Sequence, residues 1–290
     1  MLTEPLPDLE AWVDFFNSEE MPVLRQTARR LEEARQNIDK ISGRDIAAIV
    51  LQDPLMAVRV LAYIQSFSGN RLRSDITTIA NAVMMLGIEP FFKKFEAPKT
   101  LEATLKSEPQ ALLGLLQVIR RVQRASHYAH SWAFERHDMN IEEVALAALL
   151  HDLAEILLWC FAPKLAIEIR NRQQADKTQR SVAVQEQVLG IRLFDLQQAL
   201  CHAWGLPELL STLMDDANAE LPRVQNVILA VNLARHTAND WNDAALPDDL
   251  TAIEKLLHIG RDALLSRLDI PDEIAQRFQI KPAQAPQQSA

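Results

Sequence analysis

His151 and Asp152 stand side by side at the end of the run Ala147-Ala148-Leu149-Leu150, where every preceding side chain is apolar. An ionised carboxylate in such a setting is costly unless it is paired or holds a metal. Chemistry would therefore be sought here first. An imidazole and a carboxylate can share a cation, or can simply hydrogen-bond to each other and to a neighbouring helix. The dipeptide alone decides little, because His137-Asp138 repeats it at what reads as an exposed helix end. His127 and His130 are three apart on one helix, a spacing that can chelate. His127, however, falls nearly opposite the apolar stripe of that helix, among Arg120, Arg124 and Ser131, and reads as a surface residue. His130 falls on the flank, where a packing role is the plainer account.

The other candidates weigh less. His202 shares the polar side of its helix with Asp195 and Gln198, and His236 lies one turn after Asn232; both read as surface positions. Asp215-Asp216 reads as a solvated pair and Met84-Met85 as core. Arg120, Arg121 and Arg124, with Lys99 and Lys106, form the one basic neighbourhood that stands out. Arg120 and Arg124 share a face, as residues four apart on a helix do, and could receive an anionic ligand or an acidic partner. A solvated face is the simpler reading. The sequence has no glycine-rich phosphate loop and no nucleophile-elbow sequence.

The elements that must position these residues are helices. Only 7 glycines serve 290 residues, too few for the turns of a large β-sandwich, and no stretch alternates cleanly between apolar and polar. An all-α fold is expected, as one compact body or two lobes. A short segment up to about Asn17, carrying Trp12, Phe15 and Phe16, should dock on the body. Met21-Pro22-Val23-Leu24 should open a helix to about Asn37, and Gly43 to Leu51 a second. Asp53 reads as an N-cap with Pro54 as the first helical residue. A polar loop is expected from Ser68 to Ser74, then a helix through Met84-Met85-Leu86 stopped by Gly87. Residues 110–137 should form more than one amphipathic helix, with Ile119, Val122, Ala125, Ala129 and Trp132 facing inward. Ile141 to Trp159 is apolar on nearly every face and should be one central buried helix. Further helices are expected around 163–175, 180–189, 193–203, 207–214, 221–237, 248–258 and 260–268. Gly205 and Pro207 divide two of them, with Trp204 filling the corner. The last ten residues have a disordered composition.

Charge and cysteine content bear on partners. The formal net charge is −9, and no basic run is present, so nucleic acid is not expected as a partner. Cys160 and Cys201 cannot form a disulfide framework, no signal peptide is evident, and nothing approaches a membrane span; a cytoplasmic chain is expected.

The order of several motifs adds a resemblance. Met21-Pro22-x-Leu24, Asp53-Pro54-Leu55, Leu61-Ala62-x-Ile64-Gln65-Ser66 and Ile76-x-x-Ile79-x-x-Ala82-Val83-x-x-Leu86-Gly87 resemble the first half of an HDOD domain. Leu149-Leu150-His151-Asp152-Leu153 and Trp204-Gly205-Leu206-Pro207-Glu208 resemble the second half. The likeness spans roughly residues 18–240, after a docking segment at 1–17 and before C-terminal helices at 241–280 and a tail at 281–290. It implies an all-α fold related to HD-type metal-dependent phosphohydrolases and a role in bacterial signalling, usually without demonstrated catalysis. The hydrolase relatives carry Gly-Lys just after His-Asp, where this chain has Ala154-Glu155. Their later metal-site positions are matched here by Leu193, Asp215-Asp216 and Asn232. A leucine cannot ligate, and an amide is a poorer ligand for a hard cation. The resemblance therefore implies a non-enzymatic regulatory module acting through protein partners, with no cofactor and no metal. His127, His130, His151, Asp152 and Asn232 would be what remains of the site. Two other readings stay open: a divergent phosphohydrolase built from His151, Asp152 and His127 or His130, and a receptor for a small anionic messenger.

Overall fold

The computed structural model of the chain describes residues 1–68, 76–176, 178–268, 270 and 272–278. Helices make up its framework, and no strand occurs among the described residues. In the N-terminal third several begin where the sequence supplies a cap. Asp8 accepts the Ala11 N–H at 2.9 Å and opens α1 (Leu9–Ser18). Val23 then takes an extended conformation, donating its N–H to Lys99 and accepting from Leu101, so α2 (Arg25–Arg35) starts later than Met21. That backbone bridge is the reason for the delay. Ser42 and Asp45 form a capping box for α3 (Gly43–Val50). Buried Asp53 accepts from Leu55 and Met56 at the head of α4 (Pro54–Ser68), and from the Leu24 N–H at 2.7 Å. One carboxylate thus caps α4 and anchors the start of α2. Thr78 caps α5 (Ile79–Leu86), which ends at Gly87 with φ +82. Beyond Ser68, the polar loop expected up to Ser74 lies outside the described residues, as does the C-terminal tail. Met84 and Met85 are exposed rather than core, because Ile79, Ala82, Val83 and Leu86 already fill the inward stripe.

Two short helices, α6 (Ile88–Lys94) and α7 (Leu101–Thr104), lead to α8 (Pro109–Glu135). Residues 110–137 therefore belong chiefly to one long helix, not several. Gly114 does not interrupt it: a Cβ there would lie 2.5 Å from the Trp159 ring, so this glycine serves close packing. Next come α9 (Ile141–Leu150) and α10 (Leu153–Phe161). The single central helix expected here is broken at the His-Asp pair. Its apolar run Ile141–Phe161 has the length of a membrane span, yet 89% of it is buried inside the body.

The remainder is α11 (Pro163–Ala175), α12 (Ser181–Leu189), α13 (Leu193–Ala203), α14 (Glu208–Leu213), α15 (Pro222–His236), α16 (Leu246–Leu257), α17 (Arg261–Arg267) and α18 (Asp272–Phe278). Helix α8 packs on α9, α10, α11 and α15, making it the axis of the C-terminal half. Helix α1 docks on the far part of the chain. Its Phe15 and Phe16 lie edge-on to Phe161, Leu2 donates to the Phe161 carbonyl at 2.8 Å, and Trp204 Nε1 donates to Asn17 at 2.7 Å.

Candidate functional site

The break between α9 and α10 is held open by a side chain from α13. Buried Gln197 donates to the Leu150 carbonyl at 2.7 Å and accepts the Ala154 N–H at 2.8 Å. One amide thus satisfies a carbonyl at the end of α9 and an N–H at the start of α10, which the interruption leaves without helical partners. The consequence is a turn that aims Asp152 at α8.

There it meets a cation. Arg121 donates to Asp152 Oδ2 from Nε at 3.1 Å and from Nη2 at 2.6 Å, and its Nη2 also reaches Glu155 at 2.6 Å. The other oxygen, Oδ1, lies 3.0 Å from His151 Nδ1 and 3.4 Å from Arg235 Nη2 of α15. His151 Nε2 in turn lies 3.8 Å from Asp216, in the turn before α15. Asp216 thus faces the imidazole, while its side chain stays largely exposed. Burial alone would lower the His151 pKa, but the hydrogen bond to Asp152 and the nearby Asp216 carboxylate outweigh it and raise the value from 6.5 to about 9. For Asp152 burial opposes ionisation, yet the Arg121 charge and the His151 hydrogen bond hold its carboxyl well below the usual range.

This donor set does not fit a divalent cation. Both Asp152 oxygens are already engaged, Oδ2 by Arg121 and Oδ1 by His151 and Arg235. Two guanidinium groups stand where a metal would add further positive charge. Among the described residues no three His, Cys, Asp or Glu side chains are grouped to hold a metal ion. His127 and His130 are exposed on α8, and neither joins the pair. Half-buried Asn232 makes no hydrogen bond with His151 or Asp152. Of the expected remnants, the fold brings together only His151 and Asp152.

Arg121 also leaves the basic patch in which the sequence placed it. Its guanidinium is largely buried in the ion cluster, whereas Arg120 is exposed and Arg124 donates to the Ala234 carbonyl at 3.3 Å. Lys99 pairs with Glu20 at 2.9 Å, in a different part of the fold. The helical wheel carried a signal for Arg121: it lies three residues after Val118 and four before Ala125, inside the buried stripe. Nothing comparable pointed to Gln197 or Arg235.

Other expected surface residues are also tied down. Asp138 binds Arg223 of α15 through Nε at 2.9 Å and Nη2 at 2.5 Å, so the second His-Asp dipeptide ties the connection after α8 to α15. His236 Nδ1 lies 2.5 Å from Asp249 on α16. Cys160 and Cys201 are free and buried, with burial pushing their thiols up to about 12 and about 11.

Comparison with known proteins places this arrangement. The fold is similar to a Campylobacter jejuni subsp. jejuni virulence factor at 17% identity, covering 94% of this chain and 100% of that one, with a TM-score of 0.68. It is also similar to the MmoQ response regulator of Methylococcus capsulatus str. Bath at 16% identity, covering 88% and 99%, with a TM-score of 0.66. No curated protein matches. The family model for the HDOD domain matches residues 21–219, which takes in α2 to α14, the His-Asp break and Asp216. The chain belongs to the HDOD domain family.

Proposed function

We propose that this chain is a non-enzymatic signalling module that works through protein contacts, its His-Asp pair turned into a structural ion cluster. One observation carries the reading: the Arg121 guanidinium sits on Asp152 at 2.6 Å, in the role a metal would otherwise fill. A fixed guanidinium neutralises the buried carboxylate but cannot activate a water molecule as a metal does. Glu155, beside it, would repel a phosphate placed over the pair. The formal charge of −9 favours protein over nucleic acid or an anionic membrane surface as partner. Exposed Phe134 and Met139, at the end of α8 and in the turn after it, offer apolar contact area.

The test is metal analysis of protein purified without chelators, beside its His151→Ala variant. Substoichiometric metal in both is the expected result. A stoichiometric transition metal that disappears in His151→Ala would overturn the proposal in favour of a divergent phosphohydrolase.

A further inference from the structure

Beside the ion cluster lies a cleft of about 970 Å³, bounded by α8, α10, α11, α12, the start of α13 and the end of α15. Its charges are unbalanced. Arg121 is matched by Asp152 and Glu155 at its floor. Arg120, Arg124 and Arg170 also line it and have no carboxylate partner among the described residues, and Arg235 has only its 3.4 Å contact to the already occupied Asp152. Apart from Glu155, Asp243 is the one acid on the lining. In a chain of formal charge −9, this is a local reversal of sign.

We propose that the cleft binds a small polyanion carrying at least two phosphate groups, of about nucleotide size. The volume lies in the range that encloses a small ligand. Guanidinium forks match phosphate oxygens two at a time, and the multiple charge of a polyphosphate answers several cations better than a single carboxylate does. Arg170 is pre-ordered, its guanidinium carbon 4.9 Å from the Trp159 ring centroid. The rest of the polar lining, including Gln173, Gln185 and Ser181, is neutral and can both donate and accept. The cleft adjoins the His-Asp pair through Arg121, Glu155 and Arg235, and the proposal holds whether or not the module is catalytic.

Calorimetry on the full chain in metal-free buffer, with inorganic triphosphate and with ATP as probes, tests it. Saturable binding is expected for both, weakened at least ten-fold in an Arg120→Ala/Arg124→Ala double variant and in Arg170→Ala, and unchanged in Lys106→Ala outside the cleft. Arg120 is exposed and Arg124 gives up a single 3.3 Å bond to the Ala234 carbonyl, so circular dichroism of the double variant should match the parent. Absence of binding heat at millimolar probe would overturn the site, as would equal affinity in the arginine variants. Tighter binding of a tetra-aspartate peptide than of triphosphate would also overturn it, in favour of an acidic protein segment. Release of phosphate from bound ATP would instead overturn the non-enzymatic reading and leave the site standing.

Discussion

Asp152 draws three positively charged groups around one buried carboxylate, and this residue decides what the centre can do. Removing the principal partner leaves that charge under-compensated. Arg121→Met is expected to destabilise the fold by about 3 kcal/mol, toward the lower end for a broken buried pair because His151 and Arg235 remain. Urea denaturation reads this, and an unchanged midpoint would mean that the cluster contributes nothing. His151 gives the cluster a pH signature. Its folded-state pKa is raised to about 9 from 6.5, so its stabilisation is complete below about pH 6.5 and is lost as pH rises toward 9. Stability should therefore fall across that window, by at most about 1.4 kcal/mol per pH unit, and a His151→Gln variant should lack this fall. The pair itself was legible in the sequence. Its replacement partner was less visible. Arg121 was grouped with Arg120 and Arg124 by charge, although its place between Val118 and Ala125 put it on the buried face.

Among the elements, the interruption between α9 and α10 depends on Gln197. Substituting Gln197→Leu removes the partners of two buried backbone groups and is expected to cost about 3 kcal/mol in a thermal or chemical melt. A loss below about 1 kcal/mol would mean that water takes over both bonds. At Gly114, a Cβ would enter the Trp159 ring. Gly114→Ala should therefore be destabilising by about 1–3 kcal/mol through overpacking, even though alanine favours a helix. Caps and stops that rest on local chemistry, such as Asp53-Pro54 and Gly87, could be read directly from residue types. The break at residues 151–152 could not. Apolar residues continue unbroken on both sides of it, and the group that stabilises it arrives from α13, more than forty positions away.

At the scale of the whole molecule, the helical class and the ordering of motifs were legible because they rest on composition and repeated spacing. The clustering of unmatched arginines was not, since Arg124 and Arg170 come from two helices separated in sequence. This juxtaposition predicts that triphosphate binding weakens steeply as sodium chloride rises from about 0.05 to about 0.3 M, because exposed cations are screened over a Debye length of about 10 Å at 0.1 M. Salt-insensitive binding would point to a different surface. The docking of α1 carries a consequence of another kind. The bond from Trp204 to Asn17 closes a separation of 187 residues, and the Leu2 contact to Phe161 spans a similar distance along the chain. Such closure is entropically slow compared with the packing of α8 on α9, which are joined by a short turn. Helix α1 should thus be among the last elements to find its place, its aromatic face uncovered until the middle of the polypeptide has folded. Pulse-labelled hydrogen exchange should show α1 amides gaining protection after those of α9, and simultaneous protection would refute that order.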